Sequence, residues 1–386
     1  MGKVYTIFTY IIELIDSIIF NKKISNLETG RVGFIRTDGI GDFIIWSDCI
    51  DAYRELYQGK KLTLFCDHNI YELAKQMDKF DEVVPIRIRT FYNIRFIEYK
   101  QNKKTLKKYP CDLLINTMSM RGIAKNSVAA FIPAHKKITL EGWNLKRLVK
   151  FQEKYIYNEI IELTEANGSE IEKNADFTRK LGANEFKSGY SQFFDPTSNI
   201  NIEMPYFAVQ VDASSADKCI QTDKLIQLVV YVIKKTGLKC CLLGTSKDIE
   251  LGELKDNDCV VNLIGKTSLT DVIHIIHQSL FFIGGDTCGV HSALLSHIPS
   301  LVTYGGYHYN KFLPYHSDND ELNLLLWSVV HKMDCYNCNN NFTEECKNSI
   351  KENGCYSCLN AIGLDQMIET ADNMLNNITW RTSNEN

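Results

Sequence analysis

The sequence predicts an α/β protein made of two doubly wound domains that face each other across a cleft. Short apolar runs typical of buried parallel strands alternate with longer stretches typical of helices, and this order occurs twice, on either side of a polar, proline-bearing segment. A chain of 386 residues, of which 45% are hydrophobic, is also long enough to bury two cores of ordinary size.

Composition excludes several classes of protein. The net charge of −4 gives no basic surplus, so we do not expect a nucleic-acid-binding protein. The 13 cysteines are odd in number and several lie in apolar runs such as LKCCLLG, which argues against a secreted disulfide framework. No cleavage site follows the first apolar segment, and no later run approaches the roughly 20 residues of a membrane span. We therefore expect a cytoplasmic protein.

Residues 4–20, VYTIFTYIIELIDSIIF, predict an amphipathic helix ahead of the first domain. Its polar positions, mostly three or four residues apart, are Thr6, Thr9, Glu13, Asp16 and Ser17. One interpretation is a helix lying peripherally on the inner membrane surface, with Lys22 and Lys23 toward the headgroups. The other is a helix docked on the protein's own core or on another subunit of a homo-oligomer, and the two acidic residues weigh against the membrane. Residues 1–30 comprise this helix and a polar linker.

Strands and helices alternate through both predicted domains. In residues 31–200 the runs RVGFIR, KLTLFCD, VVPIRI and DLLINT predict strands. Residues 87–150 are rich in Lys, Arg and aromatic residues, which suits an anionic partner; the alternative, and the commoner case, is a solvated charged face. Residues 193–205 are polar and lack periodicity, so we place the interdomain linker there. In residues 201–386 the runs YFAVQVD, LKCCLLG, CVVNLIG and LFFIGGD predict the strands of the second sheet.

The segment RTDGIGDFIIW follows the first predicted strand. It lacks the third glycine of the dinucleotide-binding pattern G-x-G-x-x-G, so we reject that interpretation. Asp42 would lie at the mouth of the crevice in which open α/β sheets bind ligands, where a carboxylate can act as a general base. The alternative is that Asp42 caps a helix beginning at Phe43.

The segment GGDTCGVH predicts a second site. Asp286 to Gly289 lie between a buried strand and an apolar helix, so the helix N-terminus, with Thr287 as a donor, would bind a diphosphate. His291 lies in the first turn beside it. The alternative is a capping turn with a histidine satisfied in the core.

Together these motifs resemble glycosyltransferase family 9, the heptosyltransferases, from Arg31 to the C-terminus. The resemblance is carried by IRTDGIGDFIIW, SSADKCIQTDKL, GTSKDIE and LIGKTSLTDVIHIIHQSLFFIGGDTCGVHSALL. It implies a GT-B fold of two Rossmann-like domains, the first binding the acceptor and the second the nucleotide sugar. The chain departs from the family at Cys288, where glycine usually follows Asp-Thr.

The resemblance also implies roles for individual residues. Asp42 would be the catalytic base, and Asp38 would shape the turn or contact the acceptor. The implied donor-binding residues are Ser214, Lys218, Asp248, Asp286, Thr287, Gly289 and His291. The segment YGGYHYNKFLPY is more like family members from O-antigen or capsule loci, and its His308 and Lys311 would bind donor or acceptor, unless they belong to a surface loop.

The implied activity is inverting transfer of a sugar from a nucleotide-diphosphate donor, with ADP-heptose favoured, to lipopolysaccharide core or O-antigen. A protein acceptor such as an autotransporter adhesin is the alternative, and a nucleotide-sugar epimerase or a non-catalytic relative is a further one. No D-x-D stands in a suitable loop, so we expect no metal or other cofactor in catalysis.

The C-terminal segment 335–358 is rich in cysteine. Two C-x-x-C pairs have zinc-ribbon spacing, with Cys346 between them, and four thiolates would hold structural zinc or iron. The predicted ligands are Cys335, Cys338, Cys355 and Cys358. Autotransporter heptosyltransferases, which this architecture resembles, carry a four-cysteine iron site. The alternative is a set of free thiols.

Overall fold

The structure is a computed structural model that describes residues 2–21, 28–92, 96–164, 168–245 and 249–383. The chain forms two compact units, each with a parallel sheet, as the alternation of strands and helices predicts. The first unit comprises Met1–Gly168 and Glu172–Phe186, and the second comprises Ser169–Ile171 and Lys187–Asn386.

The first unit contains a six-stranded parallel sheet in the order β3-β2-β1-β4-β5-β6. Its strands are β1 (Arg31–Arg36), β2 (Lys61–Asp67), β3 (Glu82–Ile86), β4 (Cys111–Asn116), β5 (Ala134–Leu140) and β6 (Glu159–Ile161). Its helices are α1 (Gly2–Ile19), α2 (Ile40–Ser47), α3 (Ile50–Leu56), α4 (Tyr71–Gln76), α5 (Arg89–Tyr92), α6 (Phe96–Leu106), α7 (Ile123–Phe131), α8 (Arg147–Ile156) and α9 (Glu170–Lys180). The central strand β1 is apolar and buried on both faces because helices cover a parallel sheet on each side.

The second unit contains another six-stranded parallel sheet, in the order β12-β11-β10-β7-β8-β9. Its strands are β7 (Tyr206–Gln210), β8 (Lys239–Leu243), β9 (Val260–Asn262), β10 (Phe282–Gly285), β11 (Ser300–Thr303) and β12 (Leu326–Val329). Its α-helices are α10 (Thr222–Thr236), α11 (Leu269–His277), α12 (Cys288–Leu295), α13 (Glu321–Leu324), α14 (Glu344–Asn353), α15 (Ser357–Asn360) and α16 (Leu364–Ser383), and Ala216–Lys218 and Gly252–Leu254 form 3₁₀ turns.

The two sheets share one topology. Counted from the first strand of each unit, both follow the order 3-2-1-4-5-6 that is common in Rossmann-like domains. In such sheets the chain reverses direction of winding between strands 1 and 4, and ligands bind beyond the carboxyl ends of these strands. The expected binding positions are therefore the ends of β1 and β4 in the first unit and of β7 and β10 in the second.

The passage between the units falls earlier in the chain than the linker that we expected at residues 193–205. The last stretch of the first unit ends at Phe186. Residues of the expected linker are held by the second unit instead: the Phe193 amide donates to the Leu295 carbonyl at 2.9 Å, and Asp195 contacts His274 at 2.8 Å. The polar composition therefore marks a surface segment bonded to the second unit.

Among the helices of the described residues, none combines the length and the apolar composition needed to cross a membrane.

Candidate active site

Two adjoining cavities lie at the carboxyl ends of β7 and β10 in the second unit. The smaller, of about 390 Å³, is lined by Gln210, Lys218 and Thr287, among others. The larger, of about 1020 Å³, includes Ser214 and Thr245. Both are lined by residues 211–213, so they are continuous. Their position and size suit a nucleotide-sized ligand.

The N-terminus of α12 opens on the smaller cavity. Thr287 is the N-cap, but its hydroxyl donates to the Gln210 side-chain oxygen at 2.7 Å and does not cap the helix. The first amides of α12 therefore remain available to an anion. Gly289 is required here, since a Cβ would lie 2.2 Å from the same Gln210 oxygen and 2.9 Å from the Phe282 ring. The sequence prediction that Thr287 and Gly289 shape one helix N-terminus agrees with this geometry.

Asp286, which ends the loop before Thr287, is buried against two histidines. Its Oδ2 lies 3.2 Å from His308 Nδ1, and its Oδ1 lies 3.6 Å from His291 Nε2. Burial opposes ionisation, but the two imidazoles outweigh it and hold the pKa of the Asp286 carboxyl well below its usual range. His291 Nδ1 also lies 2.7 Å from the Tyr315 hydroxyl. Asp286 thus ties His291 and His308, two of the predicted residues, into one buried cluster.

Lys218 brings positive charge to the smaller cavity. It ends the 3₁₀ turn Ala216–Lys218, and its Nζ lies 5.7 Å from the centroid of the Tyr307 ring. Across the described ranges no carboxylate forms an ion pair with it, so the charge is available to an anionic ligand. Ser214 lies on the larger cavity and is exposed. Asp248, one of the implied donor-binding residues, lies outside the described residues.

Lys311, predicted to bind donor or acceptor, is buried. Its Nζ lies 5.0 Å from the centroid of the neighbouring Phe312 ring, and its backbone carbonyl accepts from the Glu170 amide. The structure therefore places it in the packing of the 308–312 segment rather than on either cavity lining.

In the first unit, the loop after β1 is organised by a buried arginine. Arg36 donates from Nη1 to the Thr117 carbonyl at 2.8 Å and from Nη2 to the Asp42 carbonyl at 2.9 Å, and its Nε lies 3.0 Å from Asp38 Oδ1. Asp38 is thus paired with Arg36 and shapes the turn, one of the two roles proposed for it. Because Thr117 follows β4, these bonds join the ends of β1 and β4.

Asp42 caps a helix, as the alternative prediction has it, but that helix does not begin at Phe43: the Asp42 carboxylate accepts a hydrogen bond from the N-cap amide, as in a capping box. Helix α2 begins at Ile40 and its N-cap is Gly39, so Asp42 occupies the third helical position. There its Oδ2 accepts a hydrogen bond from the Gly39 amide at 3.2 Å. The carboxylate is half-buried beyond the carboxyl end of β1.

The cysteine-rich segment assembles differently from the predicted set. Cys335, Cys338 and Cys358 line one cavity of about 300 Å³ together with Cys346. Cys355 lines the larger cavity beside α10 instead. All the cysteines are free thiols, and burial raises the pKa of Cys358 to about 11. Among the described residues, no group of three or more His, Cys, Asp or Glu side chains has the arrangement needed to hold a metal ion.

Several residues of the site were not singled out from the sequence. Gln210 and Asp212 stand at the end of the predicted strand YFAVQVD, and polar residues at that edge of a parallel sheet were a usable signal. Asp212 Oδ2 accepts from the amide and the hydroxyl of Thr245, at 2.6 and 2.8 Å. Tyr307 gave no such signal, because its partner Lys218 lies on a segment distant in the chain.

Comparison with known families gives one match. The family model described as "Glycosyltransferase family 9 (heptosyltransferase)" matches residues 146–339, about half of the chain. No curated protein sequence matches significantly.

Solved structures resemble the fold at low sequence identity. Heptosyltransferase II from E. coli, titled an ADP-heptose LPS heptosyltransferase, has a TM-score of 0.64 and 15% identity, covering 90% of this chain and 99% of its own. A glycosyltransferase family 9 protein from Veillonella parvula has a TM-score of 0.67 and 14% identity, covering 92% and 100%. The dodecameric iron-containing heptosyltransferase TibC from enterotoxigenic E. coli, in complex with ADP-D-β-D-heptose, has a TM-score of 0.56 and 12% identity, covering 90% and 77%. At these identities the likeness shows the GT-B fold alone.

Proposed function

We propose a reaction for this chain, which belongs to glycosyltransferase family 9 and is a glycosyltransferase. It transfers a sugar with inversion from a nucleotide-diphosphate donor to a cell-surface glycan. The observation that carries the proposal is the smaller cavity of the second unit. There the open N-terminus of α12 and the Lys218 side chain line the same space. Both are groups that bind a diphosphate.

The mechanism follows from what an inverting displacement requires. The acceptor hydroxyl must lose its proton as it attacks the anomeric carbon, and we assign that general-base step to Asp42. The bond from the anomeric carbon to the diphosphate breaks on the opposite face, and negative charge builds on the leaving oxygen. Lys218 and the amides of α12 are fixed groups that stabilise this charge, with no metal in the step.

Heptose is the favoured sugar and ADP the favoured nucleotide. Of two similar proteins, one is an ADP-heptose LPS heptosyltransferase and the other was solved in complex with ADP-D-β-D-heptose. A thermal-shift series with ADP-, GDP-, UDP- and dTDP-sugars tests the assignment. We expect ADP-heptose to raise the unfolding temperature most. A larger shift with a sugar of another nucleotide would replace ADP as the assigned nucleotide.

The favoured acceptor is lipopolysaccharide core or O-antigen, which would place the enzyme in the cytoplasm at the inner face of the membrane. The basic stretch 87–150 of the first unit supports an anionic acceptor. The second candidate is a protein O-heptosyltransferase, which the cysteine-rich segment favours. An epimerase would convert the nucleotide sugar without any acceptor, so incubation of the donor alone separates it from a transferase.

The Asp42→Ala substitution tests the base. We expect transfer to fall at least a hundredfold, because general-base catalysis typically contributes about 10² to 10⁴, while the donor still binds through the second unit. Asp51→Ala, an exposed carboxylate on α3, is the matched control and should leave turnover unchanged. Unchanged turnover in Asp42→Ala would remove the assignment.

We further propose that the cysteine-rich segment binds a structural zinc or iron ion, with Cys346 as a ligand in place of Cys355. The described residues include no such group already arranged to hold an ion, so the four thiols would have to draw closer around it. TibC, which resembles this chain in fold, is titled iron-containing. The support from this chain is that Cys335, Cys338, Cys346 and Cys358 surround one cavity, and thiolates select both metals. Elemental analysis should find one metal per chain, lost in Cys346→Ser and kept in Cys355→Ser. Absence of stoichiometric metal in the unmodified protein would contradict the site.

A further inference from the structure

Helix α1 has three polar side chains that face inward, Glu13, Asp16 and Ser17. Glu13 and Ser17 are 1% and 0% exposed. The hydroxyl of Ser17 accepts from the Gln152 amide of α8 at 2.8 Å. Asp16 pairs with Lys103 of α6 at 2.6 Å. A helix on the surface of a soluble domain normally buries its apolar side and shows its polar side to water. Here the polar residues fix the helix on the first unit.

One row of apolar side chains on α1 faces outward, while Ile12 packs against the core of the first unit. Ile11, Ile15 and Ile19 recur every four residues and are 47%, 51% and 67% exposed. Phe20 continues the row at 42%. An exposed isoleucine is unremarkable by itself, but a continuous row of large apolar side chains marks a surface that contacts something other than water.

Helix α8 extends this surface. It lies beside α1, since the Asn21 side-chain amide donates to the Tyr155 carbonyl and Gln152 bonds to Ser17. Its outward residues Leu148, Phe151 and Tyr155 are each about half exposed. We call the six outward residues of α1 and α8 the outer apolar face: Ile11, Ile15, Ile19, Leu148, Phe151 and Tyr155.

The outer apolar face is bordered by positive charge. Four exposed cations of the α8 segment alternate with its apolar residues, and the described part of the chain offers them no ion pair: Lys146, Arg147, Lys150 and Lys154. On the side of α6, Lys107 lies 5.5 Å from the centroid of the Phe20 ring. Lys103 lies 3.7 Å from the same ring, but its charge is offset by Asp16.

The carboxylates of α1 and α8 do not offset this charge. Glu13 is buried and burial raises its pKa to about 9, so it is protonated at neutral pH. Asp16 is paired with Lys103, and Glu153 is buried against Arg121 at 2.8 Å. The acidic residues that argued against a membrane contact at the level of sequence are therefore not on the outward surface.

We propose that the outer apolar face docks on a lipid bilayer with anionic headgroups. Apolar side chains would enter the boundary between headgroups and acyl chains, while the surrounding cations contact phosphate groups. A second copy of the chain is the other candidate. Pairing the same face of two copies would bring its cations against one another, which opposes that contact.

The proposal rests on the surface of the first unit and not on the proposed reaction, so the test uses neither donor nor acceptor. The full chain is incubated with vesicles of phosphatidylglycerol and phosphatidylethanolamine, free of glycolipid, and the bound fraction is measured by flotation. Vesicles of phosphatidylcholine alone are the neutral comparison. We expect binding to the anionic vesicles, weakening as salt rises because exposed charges are screened.

Two pairs of substitutions separate apolar from electrostatic binding. Ile15→Ser with Ile19→Ser should reduce vesicle affinity at least tenfold, and Leu324→Ser, a more exposed leucine of the second unit, is its control. Lys150→Gln with Lys154→Gln should reduce affinity about 30-fold, at about 1 kcal/mol per charge. Lys234→Gln with Lys255→Gln removes the same charge from exposed positions of the second unit and should leave vesicle affinity unchanged.

Circular dichroism spectra and unfolding temperatures of each variant, compared with the unmodified protein, show whether the fold is retained. Equal vesicle binding by the folded Ile15/Ile19 variant and the unmodified protein would overturn the proposal. A second result would also overturn it: the unmodified protein does not bind anionic vesicles but forms a concentration-dependent oligomer, and the Ile15/Ile19 variant stays monomeric. That result would assign the face to a second copy of the chain. Failure of sugar transfer in an activity assay would leave the vesicle result intact.

Discussion

Gly39 decides where the carboxylate of Asp42 can lie. A Cβ at position 39 would stand 2.8 Å from Asp42 Oδ2, closer than such atoms approach, and the same oxygen accepts the Gly39 amide. The absence of a side chain at Gly39 therefore leaves room for the carboxylate of Asp42, three residues later. Sequence patterns show that a glycine turn is present, but which atom needs the space is visible only from the turn itself.

Substituting Gly39→Ala should turn the Asp42 carboxylate away from its position. We expect kcat for transfer to fall at least tenfold with little change in donor affinity, because the proposed donor site belongs to the second unit. Steady-state kinetics with donor titration measure both. Gly122→Ala is the control: it also replaces an N-cap glycine in the first unit, but its Cβ would meet only the Tyr10 hydroxyl at 3.8 Å. Equal losses in both variants would contradict the role of Gly39.

At the scale of elements, α1 shows what periodicity predicts and what it leaves open. The spacing of polar residues predicts the helix, and the structure has one at Gly2–Ile19. It does not say which side is buried, because that depends on partners more than 100 residues away, such as Gln152. The polar positions look solvent-facing in the sequence, and Glu13 and Ser17 become the buried ones.

The burial of Glu13 has a pH-dependent cost. Desolvation raises its pKa from 4.5 to about 9, so the folded protein keeps a proton that the unfolded chain releases above pH 4.5. Its contribution to stability is present below pH 4.5 and is lost as pH rises toward 9. We expect Glu13→Gln to raise the free energy of unfolding at pH 8 by roughly 1 to 3 kcal/mol and to change it little at pH 4.5.

Urea denaturation at the two pH values measures this difference. The exposed Glu185→Gln of the same unit is the control and should change stability by a small and equal amount at both. A Glu13→Gln variant that is destabilised at pH 8 would show that the carboxylate is charged and paired in the folded protein.

At the scale of the whole molecule, the sequence predicts the class of fold better than its assembly. Alternating apolar runs predict two parallel sheets, and both are present. The passage between units was misplaced because residues 193–205 are polar, as a linker would be, but are bonded to the second unit. The spacing of the C-x-x-C pairs suggests Cys355 as a ligand, yet α14 ends at Asn353 and Gly354 follows with φ +74, so the chain turns there and Cys355 lines a different cavity.

The site shows the same division. Asp286, Thr287, Gly289 and His291 are adjacent in sequence, and the structure places them at one helix N-terminus. Gln210 joins them from β7 across a strand pairing, through its bond to Thr287. Motif spacing carries no information about such pairings, so contacts between neighbours in sequence were predictable and contacts between strands were not.

The repeated 3-2-1-4-5-6 strand order has a thermodynamic consequence. Each unit has a complete six-stranded sheet and a hydrophobic core of its own. Neither sheet therefore needs strands of the other unit for its hydrogen bonds. Heating should then unfold the chain in two calorimetric transitions rather than one cooperative event. A nucleotide held only by the second unit would raise the midpoint of one transition and leave the other in place.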